Sequence, residues 1–167
     1  MNISMQKYKN AFSLVELLVV IAIIGILSTL IIYLSVTKKN ERDVEAAAQV
    51  VAARIREAQV SALSGRQQVD GTTPCLYRII WGGSQVTMQY LAKDSSGVCG
   101  SVSVNLLSED LSANTFFANS GTLDYSLPHA ALSSNRTVVL QKGGYSVTVC
   151  PNVNGSIEVY KNTSVCP

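Results

Sequence analysis

One uncharged run constrains this chain more than any other feature. Residues 17–37, between Glu16 and Lys38, include no Asp, Glu, Lys or Arg across 21 positions. As a helix this run would be about 32 Å long, at ~1.5 Å per residue, and a bilayer core is roughly 30 Å thick. The apolar core of a secretory signal is shorter, at about 7–15 residues. The run therefore predicts one membrane-spanning helix, and a buried core helix is the alternative.

The composition narrows the classes of function. Only 14% of the residues are charged, against roughly 25% in an average soluble protein, and 47% are hydrophobic. This excludes a disordered, charge-rich chain and disfavours an ordinary cytosolic enzyme. The formal net charge of +2, from 13 basic and 11 acidic residues, disfavours a strongly basic nucleic-acid binder.

Beyond Lys38 the apolar residues become periodic. Seven of them recur at spacings of three and four: Val44, Ala47, Ala48, Val51, Ile55, Ala58 and Ala62. This spacing predicts one apolar face of a helix, and Gly65 is the first stop signal after it. We therefore predict a single helix over residues 13–64. Its alanine-rich stripe favours packing on a sheet, and a coiled-coil partner is the alternative.

From Cys75 onward the period changes to two, which is typical of strands. Strands are predicted over residues 76–81, 85–91, 101–107, 137–140, 145–150 and 156–160, with hairpin turns at Gly82-Gly83, Gly143-Gly144 and Asn154-Gly155. Residues 108–135 are rich in Ser and Asn, which predicts a loop with at most one short strand. The predicted fold class is α+β: a long N-terminal helix packed on an antiparallel domain of five to seven strands.

No catalytic or cofactor-binding motif is present. The sequence has no phosphate-binding glycine loop, HExxH or GxSxG. Glu109 and Asp110 are adjacent and would point to opposite faces of a strand, and His129 is the only histidine. We therefore expect no cofactor, no metal and no enzymatic activity, although a membrane-anchored enzyme is kept as a third hypothesis.

Glu16 lies at the start of the apolar run, four residues after Phe12. A carboxylate at the centre of a bilayer costs roughly 2.5–3.5 kcal/mol, so such a residue either lies near the headgroups or has a partner. A helix N-terminus also favours a negative charge. From these residues alone, a boundary role and a functional role are equally supported.

The segment AFSLVELLVVIAIIGIL, residues 11–27, closely resembles the N-terminus of type IV prepilins and of the pseudopilins of type II secretion. That pattern is a short basic leader, a glycine, Phe-Thr-Leu-(Ile/Leu)-Glu and an apolar helix. Phe12, Leu14 and Glu16 match it. Ala11 replaces the usual glycine, and Ser13 replaces the common threonine. The resemblance covers about a quarter of the chain.

The resemblance implies a maturation pathway. A prepilin peptidase would cut between Ala11 and Phe12 on the cytoplasmic side, and the new amine of Phe12 would be methylated. The chain would then comprise a lost leader (1–11), a helix (12–64, with its span at 17–37) and an extracytoplasmic β-rich domain (65–167). Glu16 would pair with the N-terminal amine of a neighbouring subunit, and a charge pair is strongly favoured where the dielectric is low.

The implied function is that of a structural subunit of a bacterial type IV pilus or type II secretion filament, anchored in the inner membrane. Its implied partners are other pilin or pseudopilin subunits, the prepilin peptidase and methylase, the assembly platform and membrane lipid. The alternative is a tip subunit that binds DNA or a surface, through a cluster of Arg136, Lys142 and Lys161. Loss of Lys7 and Lys9 with the leader leaves equal numbers of basic and acidic residues, which disfavours DNA binding.

A second resemblance concerns the end of the helix. Residues 54–69 are similar to the H-type minor pseudopilins of type II secretion and the related FimT pilins. Ala58 and Ala62 match that pattern, while Gln59 replaces an arginine.

The four cysteines all follow the helix, in the part predicted to be outside the membrane: Cys75, Cys99, Cys150 and Cys166. They allow three pairings and form no CxxC motif. An oxidising compartment favours disulfides over reduced thiols, and the local pairs Cys75–Cys99 and Cys150–Cys166 are preferred.

Overall fold

The computed structural model describes residues 13–65, 72–94, 96–112, 114–132 and 135–167. Its first element is helix α1, Leu14–Ser64, which confirms the predicted helix to within one residue. The helix begins where the Leu17 amide donates to the carbonyl oxygen of Ser13 at 3.2 Å. It ends at Gly65, whose φ of 56° is the left-handed conformation that commonly terminates a helix.

The chain divides into two compact units between Lys38 and Lys39. The first unit contains the apolar half of α1, in which every large apolar side chain from Leu14 to Val36 is exposed. The second unit, Lys39–Pro167, contains the rest of α1 and all the described strands.

Nine strands follow the helix within the described residues, and they form two antiparallel sheets. They are β1 (Pro74–Gly82), β2 (Gln85–Lys93), β3 (Cys99–Asp110), β4 (Phe116–Phe117), β5 (Gly121–Ser126), β6 (Ala131–Leu132), β7 (Val138–Lys142), β8 (Tyr145–Pro151) and β9 (Ile157–Lys161). The first sheet has the order β3-β2-β1-β5-β6, and the second has the order β4-β7-β8-β9. The predicted α+β class, with a long helix and antiparallel sheets, is confirmed.

The tight turns lie at the glycine signals. The loop between β7 and β8 consists of Gly143 and Gly144, whose φ values of 55° and 84° suit the two-residue turn that matches strand twist. A side chain at Gly143 would also collide with Asn40 of the helix. The backbone conformation therefore favours glycine here, and a Cβ would also force the Asn40 side chain to move.

The prediction for residues 108–135 was wrong. Strands β4, β5 and β6 lie there, and β5 pairs with the central strand β1. Within β5, Leu123 and Tyr125 are buried, while Asp124 faces the other side and accepts two hydrogen bonds from Arg78 at 2.7 and 2.8 Å. Strand β5 is short and contains several polar residues, so its own sequence only weakly favours a strand. Its pairing with β1 stabilises it as one.

The core is built from one stripe of α1 and one face of each sheet. All seven residues of the predicted stripe are buried, with Val44, Ala48, Ile55, Ala58 and Ala62 fully inaccessible. They form one cluster with alternating residues of the strands: Tyr77, Ile79, Trp81, Val86, Met88, Leu123, Val138, Leu140, Val147 and Val149. Packing of the stripe on sheets, rather than on a coiled-coil partner, is therefore observed within this chain.

Strand β8 is buried on both faces because the C-terminal tail covers its second face. Thr148 is fully buried and its hydroxyl donates to the carbonyl oxygen of Thr163. Cys150 is bonded to Cys166 in the same tail, with the two Cα atoms 5.7 Å apart. The tail thus completes the second sheet.

Replacing Tyr125 by Phe is expected to stabilise the protein. Tyr125 is 1% exposed, its hydroxyl has no hydrogen-bond partner among the described residues, and burial raises its pKa to about 12. An unpaired buried polar group costs about 1–3 kcal/mol, so the free energy of unfolding should rise by about that amount. Because the folded pKa exceeds the unfolded value of ~10, the stability from the neutral phenol is present below pH ~10 and is lost as the pH rises towards 12. Y125F should lack this alkaline loss.

Urea unfolding of the full chain in detergent, followed by circular dichroism from neutral to alkaline pH, tests this prediction. Tyr90 is the matched control, since it is also buried but its hydroxyl lies 3.1 Å from the Thr72 hydroxyl oxygen. Y90F should destabilise by about 1 kcal/mol. Equal effects of Y125F and Y90F on the free energy of unfolding would contradict the conclusion that the Tyr125 hydroxyl is buried without a hydrogen-bond partner.

Candidate functional site: the amino-terminal helix

Glu16 lies in the first turn of α1, where its side chain is exposed. Ser13 precedes the helix, and the spacing from Ser13 to Glu16 is that of a capping box, in which a Glu or Gln at the third helical position supports the first turn. The helix dipole also favours a carboxylate there. Ala11 and Phe12, the predicted cleavage and methylation residues, lie outside the described residues.

In the apolar half of α1, the hydroxyl groups of Ser28 and Thr29 are both hydrogen-bonded within the helix. The Ser28 hydroxyl donates to the carbonyl oxygen of Ile24 at 2.7 Å, and the Thr29 hydroxyl donates to that of Ile26 at 2.7 Å. Such internal bonds suit a segment in lipid, where backbone and hydroxyl groups find no water. The most apolar part of α1 is not buried within the structure. By length and composition, this helix can cross a membrane.

The second half of α1 carries carboxylates that bind lysines of the second sheet. Lys142 of β7 donates to Asp43 at 2.7 Å, and Lys161 of β9 forms an ion pair with Glu45. The hydrogen bond from Lys142 holds the pKa of the Asp43 carboxyl below its usual value. Sequence reasoning missed both pairs because no local pattern connects residues about a hundred positions apart.

The other side of the helix contacts the first sheet through Arg54. Its guanidinium lies 2.8 Å from the carboxylates of both Glu57 and Glu109, and these hydrogen bonds raise the pKa of Arg54. Gln59 of α1 donates a hydrogen bond to the carbonyl oxygen of Gly155 at 3.2 Å. These contacts attach α1 to both sheets.

The three cations proposed for DNA binding do not form a free cluster. Lys142 and Lys161 are bound to helix carboxylates, and only Arg136 is exposed without an ion pair among the described residues. Nothing in this arrangement favours a phosphate-binding surface at these positions. In the described part of the chain, no three His, Cys, Asp or Glu side chains lie close enough together to hold a metal ion.

All four cysteines are bonded in the structure. Cys75 at the start of β1 is linked to Cys99 at the start of β3, and Cys150 is linked to Cys166. The first disulfide joins the edge strand β3 to the centre of its sheet, and the second holds the C-terminal tail.

One family model matches the chain. Residues 6–32 match the model described as the prokaryotic N-terminal methylation motif. This range includes Ala11, Phe12, Glu16 and residues 17–32 of the apolar run. No curated protein and no solved structure shows significant similarity to the chain. The chain therefore carries the amino-terminal motif of the type IV pilin-like proteins, as its sequence predicted.

Proposed function

We propose that this protein is a structural subunit of a bacterial type IV pilus or type II secretion filament, and not an enzyme. Prepilin peptidase cleaves it between Ala11 and Phe12, Phe12 is methylated, and the mature subunit assembles by packing of its apolar helix. The observation that carries this proposal is the overlap of the methylation motif, residues 6–32, with the start of a helix whose apolar side chains are exposed.

The exposed apolar half of α1 supports the proposal because it needs a non-aqueous environment. Burial of apolar surface is worth about 25 cal/mol per Å², and contiguous exposed apolar surface of this extent marks a membrane or an assembly interface. A bilayer before assembly and neighbouring helices within a filament would both satisfy this requirement. The two disulfides fit an extracytoplasmic location for the β-rich part.

The proposal is tested by processing of the full chain in cells with and without a prepilin peptidase. Intact mass and N-terminal sequencing should show a chain that starts at methylated Phe12 when the enzyme is present, and one that retains Met1 when it is absent. Two matched variants test how cleavage depends on the residue at position 11. A11G carries the glycine usual in the family and should be cleaved at least as well, whereas A11L places a bulky residue there and should block cleavage.

Two outcomes would contradict the proposal. If the native chain retains Met1 under conditions in which A11G is cleaved, the protein is a permanently anchored membrane protein. If cleavage occurs after residue 37, the apolar run is an ordinary secretory signal.

A further inference from the structure

The segment that follows the apolar run is charge-balanced in sequence but not in the folded protein. Residues 38–45 contain three cations and three carboxylates. Two of those carboxylates, Asp43 and Glu45, bind Lys142 and Lys161 of the second sheet. The strands therefore supply two extra positive charges, and the segment together with its lysine partners has more cations than anions.

All three cations of this segment are exposed, and two of them share one face of the helix. Lys39 and Arg42 lie three residues apart in α1, which places them on neighbouring positions of one helix face, and both are exposed. Arg42 forms no ion pair with any described residue. Lys39 attracts the Asp43 carboxylate from a distance, but that carboxylate accepts its hydrogen bond from Lys142.

The position of these cations along α1 matches the depth of lipid headgroups. Lys39 and Arg42 follow the predicted end of the span at Thr37 by two and five residues, which is about 3 and 7.5 Å at ~1.5 Å per residue. The headgroup region adds about 5–7 Å to each side of the apolar core. Long cationic side chains can reach the phosphates from these positions.

We propose that Lys39 and Arg42 bind the phosphates of anionic phospholipids in the leaflet through which α1 leaves the membrane. The planar guanidinium of Arg42 can donate two hydrogen bonds to one phosphate, and Lys39 adds a second charge. Because Lys142 and Lys161 bind Asp43 and Glu45, those carboxylates do not oppose the phosphate. This inference rests on the proposed function, which places residues 17–37 in the membrane.

The experiment uses the full chain reconstituted in vesicles of equal parts phosphatidylglycerol and phosphatidylcholine. Spin-labelled versions of each lipid report how strongly each associates with the protein surface, and the ratio of the two measures the selectivity. Each basic residue near an anionic surface contributes about a fivefold preference. Wild type should prefer phosphatidylglycerol, K39Q/R42Q should lose about an order of magnitude of that preference, and high salt should weaken it in wild type.

Two further variants make the test specific. K93Q/R136Q removes two exposed cations elsewhere and should leave the selectivity unchanged. K161Q removes the ion-pair partner of Glu45 and should lower the selectivity. The negative charge of Glu45 is then no longer neutralised and repels the lipid phosphate. An unchanged selectivity in K39Q/R42Q, or an equal loss in K93Q/R136Q, would overturn the inference. Flotation of the vesicles shows whether the chain inserts into the membrane. A chain that inserts but has no lipid preference contradicts only this inference. A chain that fails to insert contradicts the proposed function as well.

Discussion

Replacing Glu16 by Gln is expected to abolish filament assembly while leaving membrane insertion and cleavage intact. In the proposed filament, the Glu16 carboxylate pairs with the N-terminal amine of Phe12 in a neighbouring subunit, inside an apolar bundle. Removing one member of a buried charge pair costs about 3–5 kcal/mol, which corresponds to a loss of about two orders of magnitude or more in assembly. The sheared filament fraction from cells that carry the assembly machinery, compared with total membrane-bound subunit, measures the effect.

Glutamine is the informative substitution because it removes the negative charge of Glu16 but keeps its ability to support the first turn of the helix. Gln serves as well as Glu at the third position of a capping box, so E16Q should leave the first turn of α1 formed. The control is S13A, which removes a favourable cap residue at a cost of about 1 kcal/mol and leaves the charge at Glu16 unchanged. Normal assembly of E16Q together with poor assembly of S13A would assign Glu16 to the helix boundary alone.

Replacing Ile55 by Ala is expected to lower the free energy of unfolding of the β-rich unit by about 2–5 kcal/mol. Ile55 is fully buried at the centre of the helix stripe, where it belongs to the same cluster as residues of both sheets. The substitution leaves a cavity between α1 and the sheets. The higher helix propensity of Ala offsets only a few tenths of a kcal/mol. Urea unfolding of the full chain in detergent measures the loss.

Val60 provides the matched control on the same helix. It is 62% exposed, so V60A removes a similar side chain without opening a cavity and should change stability by no more than about 0.5 kcal/mol. Equal effects of I55A and V60A would contradict the prediction that burial of the stripe stabilises the folded protein.

The elements with strong local signals could be predicted from the sequence. The helix was predicted to within one residue because its 3.6-residue period and its terminating Gly65 are both local properties. The hairpin at Gly143-Gly144 was predicted because a two-residue turn demands glycine at positive φ. The hairpin at Asn154-Gly155 was predicted from the same signal, but residues 152–156 form a longer loop there, with Gly155 at positive φ. The resemblance around Phe12 and Glu16 was equally local, since one contiguous segment carries it.

Strand β5 shows where local reasoning failed. Its six residues mix Gly, Thr, Asp and Ser with two buried side chains, Leu123 and Tyr125, so its own propensity for a strand is weak. It forms because β1 offers a complete pairing edge, with Ile79 opposite Leu123 and Tyr77 opposite Tyr125. Such pairing depends on residues more than forty positions away along the chain, so it cannot be predicted from a short stretch of sequence.

By itself, the sequence determined an uncharged helix of membrane length, its amphipathic continuation and the N-terminal methylation motif. Each of these depends on residues that are close together along the chain. Only the tertiary structure decided which charges of residues 38–45 are neutralised. Lys142 and Lys161 reach Asp43 and Glu45 because the second sheet packs beside the helix, and that packing is set by the burial of the Val44-to-Ala62 stripe. The same burial leaves Lys39 and Arg42 exposed, since they lie off the apolar face.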